Sequence, residues 1–232
     1  MSAVLITGAA RGFGRVLAQQ FASQSFELFL VVRSVESAAE LQAELPQSHI
    51  LIADITTDKY VDQLSGWLDD QVLDVVINNA GTGTKAPNLE LTKASYLRKE
   101  FNSHCVGAFN TVQGALSALK RSQTPTIVNI SSRRGSMQMQ AEGAAKGSGC
   151  SFSYRIGKAS QNMLSLCLAD ELEDEGFKVI SLHPGRLLTG MSATDAKMTP
   201  ELAASRLINK IQHGQLPHRH FYNLETETEL PW

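Results

Sequence analysis

Apolar residues along this chain fall into short runs separated by stretches of helical spacing. Ala3–Thr7, Glu27–Val32, His49–Ala53, Leu73–Ile77, Thr126–Ile130 and Lys178–Leu182 are compact, β-rich runs that read as buried strands. Between them, Val16–Phe21, Ser34–Leu45, Tyr60–Leu68, Leu91–Leu119 and the stretch from Tyr154 to Glu175 carry apolar side chains three and four apart, as helices do. The segment 91–119 is long enough for one or two helices. Thr199-Pro200-Glu201 supplies a cap and a first-turn proline for a further helix, and Arg219–Asn223 reads as a last short strand. Strands that alternate with helices in this way specify a mainly parallel sheet of about seven strands, covered on both faces. No linker, repeat or low-complexity tract divides residues 1–232, so a single α/β domain is expected. Arg133–Ser153, rich in Gly, Ala and Ser, is the one long unpatterned stretch and is expected to be a mobile loop.

Composition narrows the setting. The net charge of −2 over 232 residues gives no electrostatic reason to expect nucleic acid or an anionic membrane. No apolar run approaches the roughly 20 residues of a membrane span. The first strand begins at Ala3, so no leader is expected, and the three cysteines show no metal-ligand spacing. A cytoplasmic protein with reduced thiols is the expectation.

The candidate chemistry lies at the strand ends. The first strand runs into Gly8-Ala9-Ala10-Arg11-Gly12-Phe13-Gly14 and then a helix. Strand, glycine turn and helix together form a dinucleotide site, because the backbone can approach a pyrophosphate and the helix N-terminus offers amides. The second strand ends at Val32-Arg33. An acid there would bind a ribose hydroxyl, whereas arginine suits a 2′-phosphate; Arg33, with Arg11 nearby, favours NADP(H) and leaves NAD(H) possible. Asp54 ends the third strand, as an adenine acceptor or a cap for the next helix. Asn78-Asn79-Ala80-Gly81 follows the fourth. Asn102 lies among Phe101, Val106 and Phe109, and Ser131-Ser132 closes the fifth strand. Tyr154 and Lys158, four apart, share a helix face, so a cation can lower the phenol towards general acid/base use.

In that order these residues resemble the short-chain dehydrogenase/reductase family. The ending Phe221-Tyr222-Asn223…Leu230-Pro231-Trp232, with Tyr154-Arg155 and Ser132-Arg133, resembles its small carbonyl-reductase and C-factor-like branch. The resemblance implies a doubly wound Rossmann fold and hydride transfer between nicotinamide and a small carbonyl or alcohol substrate. By this resemblance Tyr154 is the general acid/base, and Lys158 depresses its pKa and holds the ribose. Ser132 then holds the carbonyl oxygen, and Asn102 holds a water leading from Lys158. Gly8, Arg11, Gly12, Phe13, Gly14, Arg33, Asp54, Asn79, Ala80, Gly81, Pro184, Gly185 and Thr189 bind cofactor alongside Tyr154 and Lys158, with Thr189 on the carboxamide. Homo-oligomerisation through the 91–119 and 154–175 helices is implied as well. An NADP(H)-sensing protein of the same fold with little turnover is the competing reading. Three departures stand out: Gly157 where the family usually has serine, Arg186 where this branch often has an aromatic, and 22 positions between Ser132 and Tyr154. No metal is expected: His218 and His220 lack an acidic or cysteine partner in sequence. His183 reads as a strand-end residue, and His104 with Cys105 as packing or interface groups.

Overall fold

The structure, a computed structural model, describes residues 1–86, 88–188 and 198–232. Eight strands form one sheet: β1 (Ala3–Thr7), β2 (Glu27–Val32), β3 (His49–Ile52), β4 (Val75–Asn78), β5 (Thr126–Ile130), β6 (Lys178–His183), β7 (Phe221–Asn223) and β8 (Thr228–Glu229). Their spatial order is 3-2-1-4-5-6-7-8. All neighbours are parallel except β7 and β8, which pair antiparallel through Tyr222↔Glu229 and Asn223↔Thr228. The eighth strand, beyond the seven expected, is this two-residue return. The last parallel strand begins at Phe221 because Arg219 takes a φ of 62°, outside the β region.

Fully buried β1, β4 and β5 need apolar side chains on both faces, which is why they read as continuous runs rather than alternating ones. On one face α1 (Gly12–Ser23) and the last helix, α8 (Pro200–Gln212), pack around Leu17, Phe21, Leu30, Ile180 and Leu207. On the other, α3 (Lys59–Leu68), α5 (Gly107–Lys120) and α7 (Phe152–Leu172) enclose Leu5, Tyr60, Leu64, Val76 and Val179. The remaining helices are α2 (Val35–Glu44), α4 (Ala94–Phe101) and α6 (Met137–Ala141). The sheet order reverses between β1 and β4, and in such a fold the ligand crevice lies outside the C-terminal ends of these strands.

Two segments differ from expectation in ways that matter for that crevice. The 91–119 stretch is two helices, α4 and α5, joined by a π turn over Asn102–Val106. A π turn inserts a residue and re-aims the side chains around it, commonly at functional sites. The stretch 133–153 is partly regular: a 3₁₀ turn at Arg133–Gly135 and the short α6, capped by Ser136 Oγ accepting from Met139 N. The chain terminus holds it in place, since Gln138 N and Ser136 Oγ both donate to Trp232 O, and Trp232 stacks on Phe221.

Candidate active site

The glycine turn is a cradle. Gly8 and Gly12 have φ of 69° and 57°, the left-handed region that glycine enters without strain. A Cβ on Gly8 would come 2.8 Å from Ala80 Cα, so the turn packs directly against the end of β4. A Cβ on Gly12 would meet nothing within 4 Å. Arg11 provides no side-chain cap, so its side chain leaves the first amides of α1 available at the reversal point. Unpaired amides, a positive helix end and room beside them fit a pyrophosphate. Phe13 and Gly14 are buried in the first turn of α1. Asn79 and Ala80 brace the cradle: Asn79 Nδ2 donates to Thr7 O at 3.1 Å and Gly8 O at 3.3 Å, and Thr7 Oγ1 accepts from both their amides. Thr7, the last residue of β1 and the first of the glycine motif, therefore ties the cradle to the end of β4.

Arg33 and Arg11 are both exposed at this edge, and among the described residues neither forms a salt bridge. Asp54 Oδ1 accepts from Thr56 N at 2.9 Å and Thr56 Oγ1 at 2.7 Å. These two bonds hold its carboxyl below the ordinary range, with a smaller contribution from Arg33. Asp54 thus closes the turn ahead of α3.

Ser132, Tyr154 and Lys158 come together where β5 ends against α7. Ser132 is buried and caps the 3₁₀ turn by accepting from Arg134 N, and its hydroxyl favours ionisation of the neighbouring Tyr154 phenol. Lys158 is buried; Nζ donates to Ile130 O at 2.6 Å and to Gln161 Oε1 at 3.0 Å, and lies 5.9 Å from the Tyr154 ring centroid. Gly135 lets the 3₁₀ turn lie on the α7 backbone: a Cβ there would fall 2.7 Å from Lys158 C. Burial pushes the Lys158 ammonium down to about 7, opposed by the charge of Glu100. Burial pushes Tyr154 up to about 12, against a smaller opposing influence of the Ser132 hydroxyl. The expected depression by Lys158 is not among the influences on the tyrosine; desolvation dominates and keeps the Tyr154 phenol protonated at neutral pH.

The structure does not bring Asn102 into this group. Its residue is exposed at the start of the π turn, and the ring that reaches Tyr154 belongs to His104, buried two positions later. The π turn, not visible in the apolar spacing, changes which residue faces inward. Pro184 and Gly185 follow β6, buried, with Gly185 at φ 95° against Glu225 and Met198. Arg186 is held by Glu225, through its backbone N at 3.1 Å and its guanidinium at 3.3 Å. Thr189 lies outside the described residues. His183 is buried and pushed down to about 4 by desolvation, so it stays neutral.

Known proteins share this fold. The short chain dehydrogenase family pattern matches residues 2–200. The chain belongs to the short-chain dehydrogenase family. A short-chain dehydrogenase/reductase from Arthrinium is 32% identical over 222 residues, which cover 87% of this chain and 80% of its own. An NADPH-dependent pterin aldehyde reductase from Arabidopsis thaliana is 29% identical, over 80% of this chain and 75% of that one. The carbonyl reductase Sniffer of Drosophila melanogaster superposes with a TM-score of 0.85 at 26% identity, covering 100% of both chains. As a short-chain dehydrogenase, the chain is of an oxidoreductase family, and its doubly wound fold is the family's. No helix among the described residues is long and apolar enough to cross a membrane.

Proposed function

We propose that this protein is an NADP(H)-preferring reductase of small carbonyl compounds, with Tyr154 as general acid. One observation carries the reading: Ser132, Tyr154 and Lys158 converge at the end of β5, beside an open glycine cradle. The cofactor supplies the hydride; the protein positions, polarises and protonates. Ser132 donates to the substrate oxygen and stabilises charge growing there. Tyr154, protonated at neutral pH, delivers its proton to that oxygen. Lys158 and the amides of α1 hold the cofactor's hydroxyl and phosphate groups. Arg33 and Arg11 take the 2′-phosphate, consistent with the NADPH dependence of the Arabidopsis relative. Arg186, turned to Glu225, leaves a polar rim beside the site in place of an aromatic wall.

NADPH oxidation by a panel of aldehydes, ketones and quinones tests this, with Tyr154→Phe as the control. The expected outcome is turnover in the wild type that falls at least about a hundredfold in the variant. Tight NADPH binding without turnover across the panel would favour the sensor reading instead. We further propose a cytoplasmic homo-oligomer, formed through the outward faces of α4, α5 and α7.

A further inference from the structure

Behind Tyr154 lies a second pair of ionisable groups that the reaction as described does not use. Glu100 ends α4 and His104 sits in the π turn; they are 0% and 2% exposed, and His104 Nε2 is 3.0 Å from Glu100 Oε2. The same nitrogen lies 2.9 Å from Thr82 O. Both partners are acceptors when the carboxylate is ionised, so Nε2 carries the proton. Glu100 also accepts from Thr82 Oγ1 at 3.1 Å and from Thr84 Oγ1. Burial pushes this carboxyl up, but the bonds from His104, Thr84 and Thr82 outweigh it and hold Glu100 ionised. With Nε2 occupied, Nδ1 is a bare acceptor, buried without a partner among the described residues.

The surrounding backbone is shaped to admit this ring. A Cβ on Gly81 would fall 2.5 Å from His104 Cε1 and 2.9 Å from Nδ1; one on Gly157 would fall 3.0 Å from Cδ2. The glycine that departs from the family's usual serine is therefore the space into which the imidazole fits. The ring then meets Tyr154 edge-to-face, with centroids 5.6 Å apart and planes at 85°. The titratable groups that face it are Glu100 from α4 and Tyr154 and Lys158 from α7; Cys150, ahead of α7, lies in the field of Glu100. A surface ion pair needs no such clearance, and an uncharged packing residue needs no carboxylate.

We propose that Glu100 and His104 are a positioning couple for Tyr154 and Lys158, taking the place expected of Asn102. The proposal rests on the active-site reading above. Glu100 fixes the imidazole tautomer, as a carboxylate does for a catalytic histidine. His104 sets the tyrosine ring, and Nδ1 is the acceptor that holds a proton in transit. The balance is one for one: each reduction moves one proton from Tyr154 to the product hydroxyl. One proton from solvent, carried through Nδ1 and Lys158, restores the phenol. The carboxylate supports the positive charge of Lys158 at the same time.

Two measurements test this on the full chain. The first is titration of Lys158 by ¹³Cε NMR in the ligand-free wild type and in Glu100→Gln, with thermal melting to confirm folding. Loss of the carboxylate is expected to lower the lysine midpoint by roughly one pH unit. An unchanged midpoint in a folded variant would overturn the coupling, whether or not the protein turns over any substrate. The second compares His104→Leu with His104→Asn using an active carbonyl substrate. Leucine is expected to lower kcat about tenfold or more at similar KM, with asparagine restoring part of it. Packing alone would instead favour leucine, and equal activity of leucine and wild type would refute the role.

Discussion

The chemistry proposed for this site turns on the charge state of single side chains held largely out of water. Ser132, Tyr154 and Lys158 were legible in the sequence because each terminates or continues a recognisable element at fixed order. Their pKa values were not, because burial acts through tertiary surroundings. Lys158 at about 7 and Tyr154 at about 12 move opposite to what pairing them on one helix face suggests. The Glu100–His104 couple was equally hidden: an acid and a histidine four apart usually mark a solvated helix face. Only the close approach of Gly81 and Gly157 reveals why it is buried. Arg33 gives the cleanest residue-scale prediction. It stands exposed at the end of β2 without a salt bridge among the described residues. Arg33→Asp is expected to weaken NADPH binding at least tenfold while changing NADH binding by less than about threefold. Isothermal titration with both cofactors would measure this, and equal losses for the two would remove the phosphate role.

At the scale of elements, strand and helix existence followed the apolar pattern closely, with strand ends displaced by at most two residues and helix ends by up to four. β4 begins at Val75 and ends at Asn78, for example, so that Asn78 Nδ2 can bond Asn129 Oδ1 of β5 inside the sheet. The 133–153 stretch read as a loop because its order is not local: Trp232 and the α7 backbone impose it from outside. Helix α7 also reverses the expected sense of its apolar stripe. It buries Lys158, Gln161, Asn162 and Ser165 towards the site and the sheet, and leaves Ile156 49% and Met163 57% exposed. Phe101 on α4 and Phe109 on α5, also exposed, lie on neighbouring elements. Apolar side chains of this size on adjacent helices suit a second copy of the chain. Light scattering after gel filtration should therefore find a dimer or larger assembly, shifted towards monomer by Met163→Glu. A monomeric wild type would contradict this.

For the whole molecule, two buried bases set the response to acid. His183 falls from 6.5 to about 4 and Lys158 from 10.5 to about 7, both through desolvation. Between each folded and unfolded value the unfolded chain holds the extra proton, so stability rises with pH across both windows. Urea unfolding of the ligand-free protein should show Lys158 contributing a gain of roughly 2 kcal/mol from pH 7 to pH 9. Lys158→Met should lack that gain; the same slope in both proteins would contradict the depressed lysine. The molecule thus keeps an unfavourable buried amine at the C-terminal end of β5, on the same sheet edge as a cradle shaped for an anionic cofactor. The most direct test of that arrangement is a single-turnover measurement of NADPH oxidation by wild type and Tyr154→Phe, with an active carbonyl substrate and NADPH affinity determined in parallel. The expected result is NADPH affinity weakened by no more than about tenfold, for loss of one hydroxyl contact, with hydride transfer slowed at least about a hundredfold in the variant. Equal rates in the two proteins would contradict the role of Tyr154 as the acid.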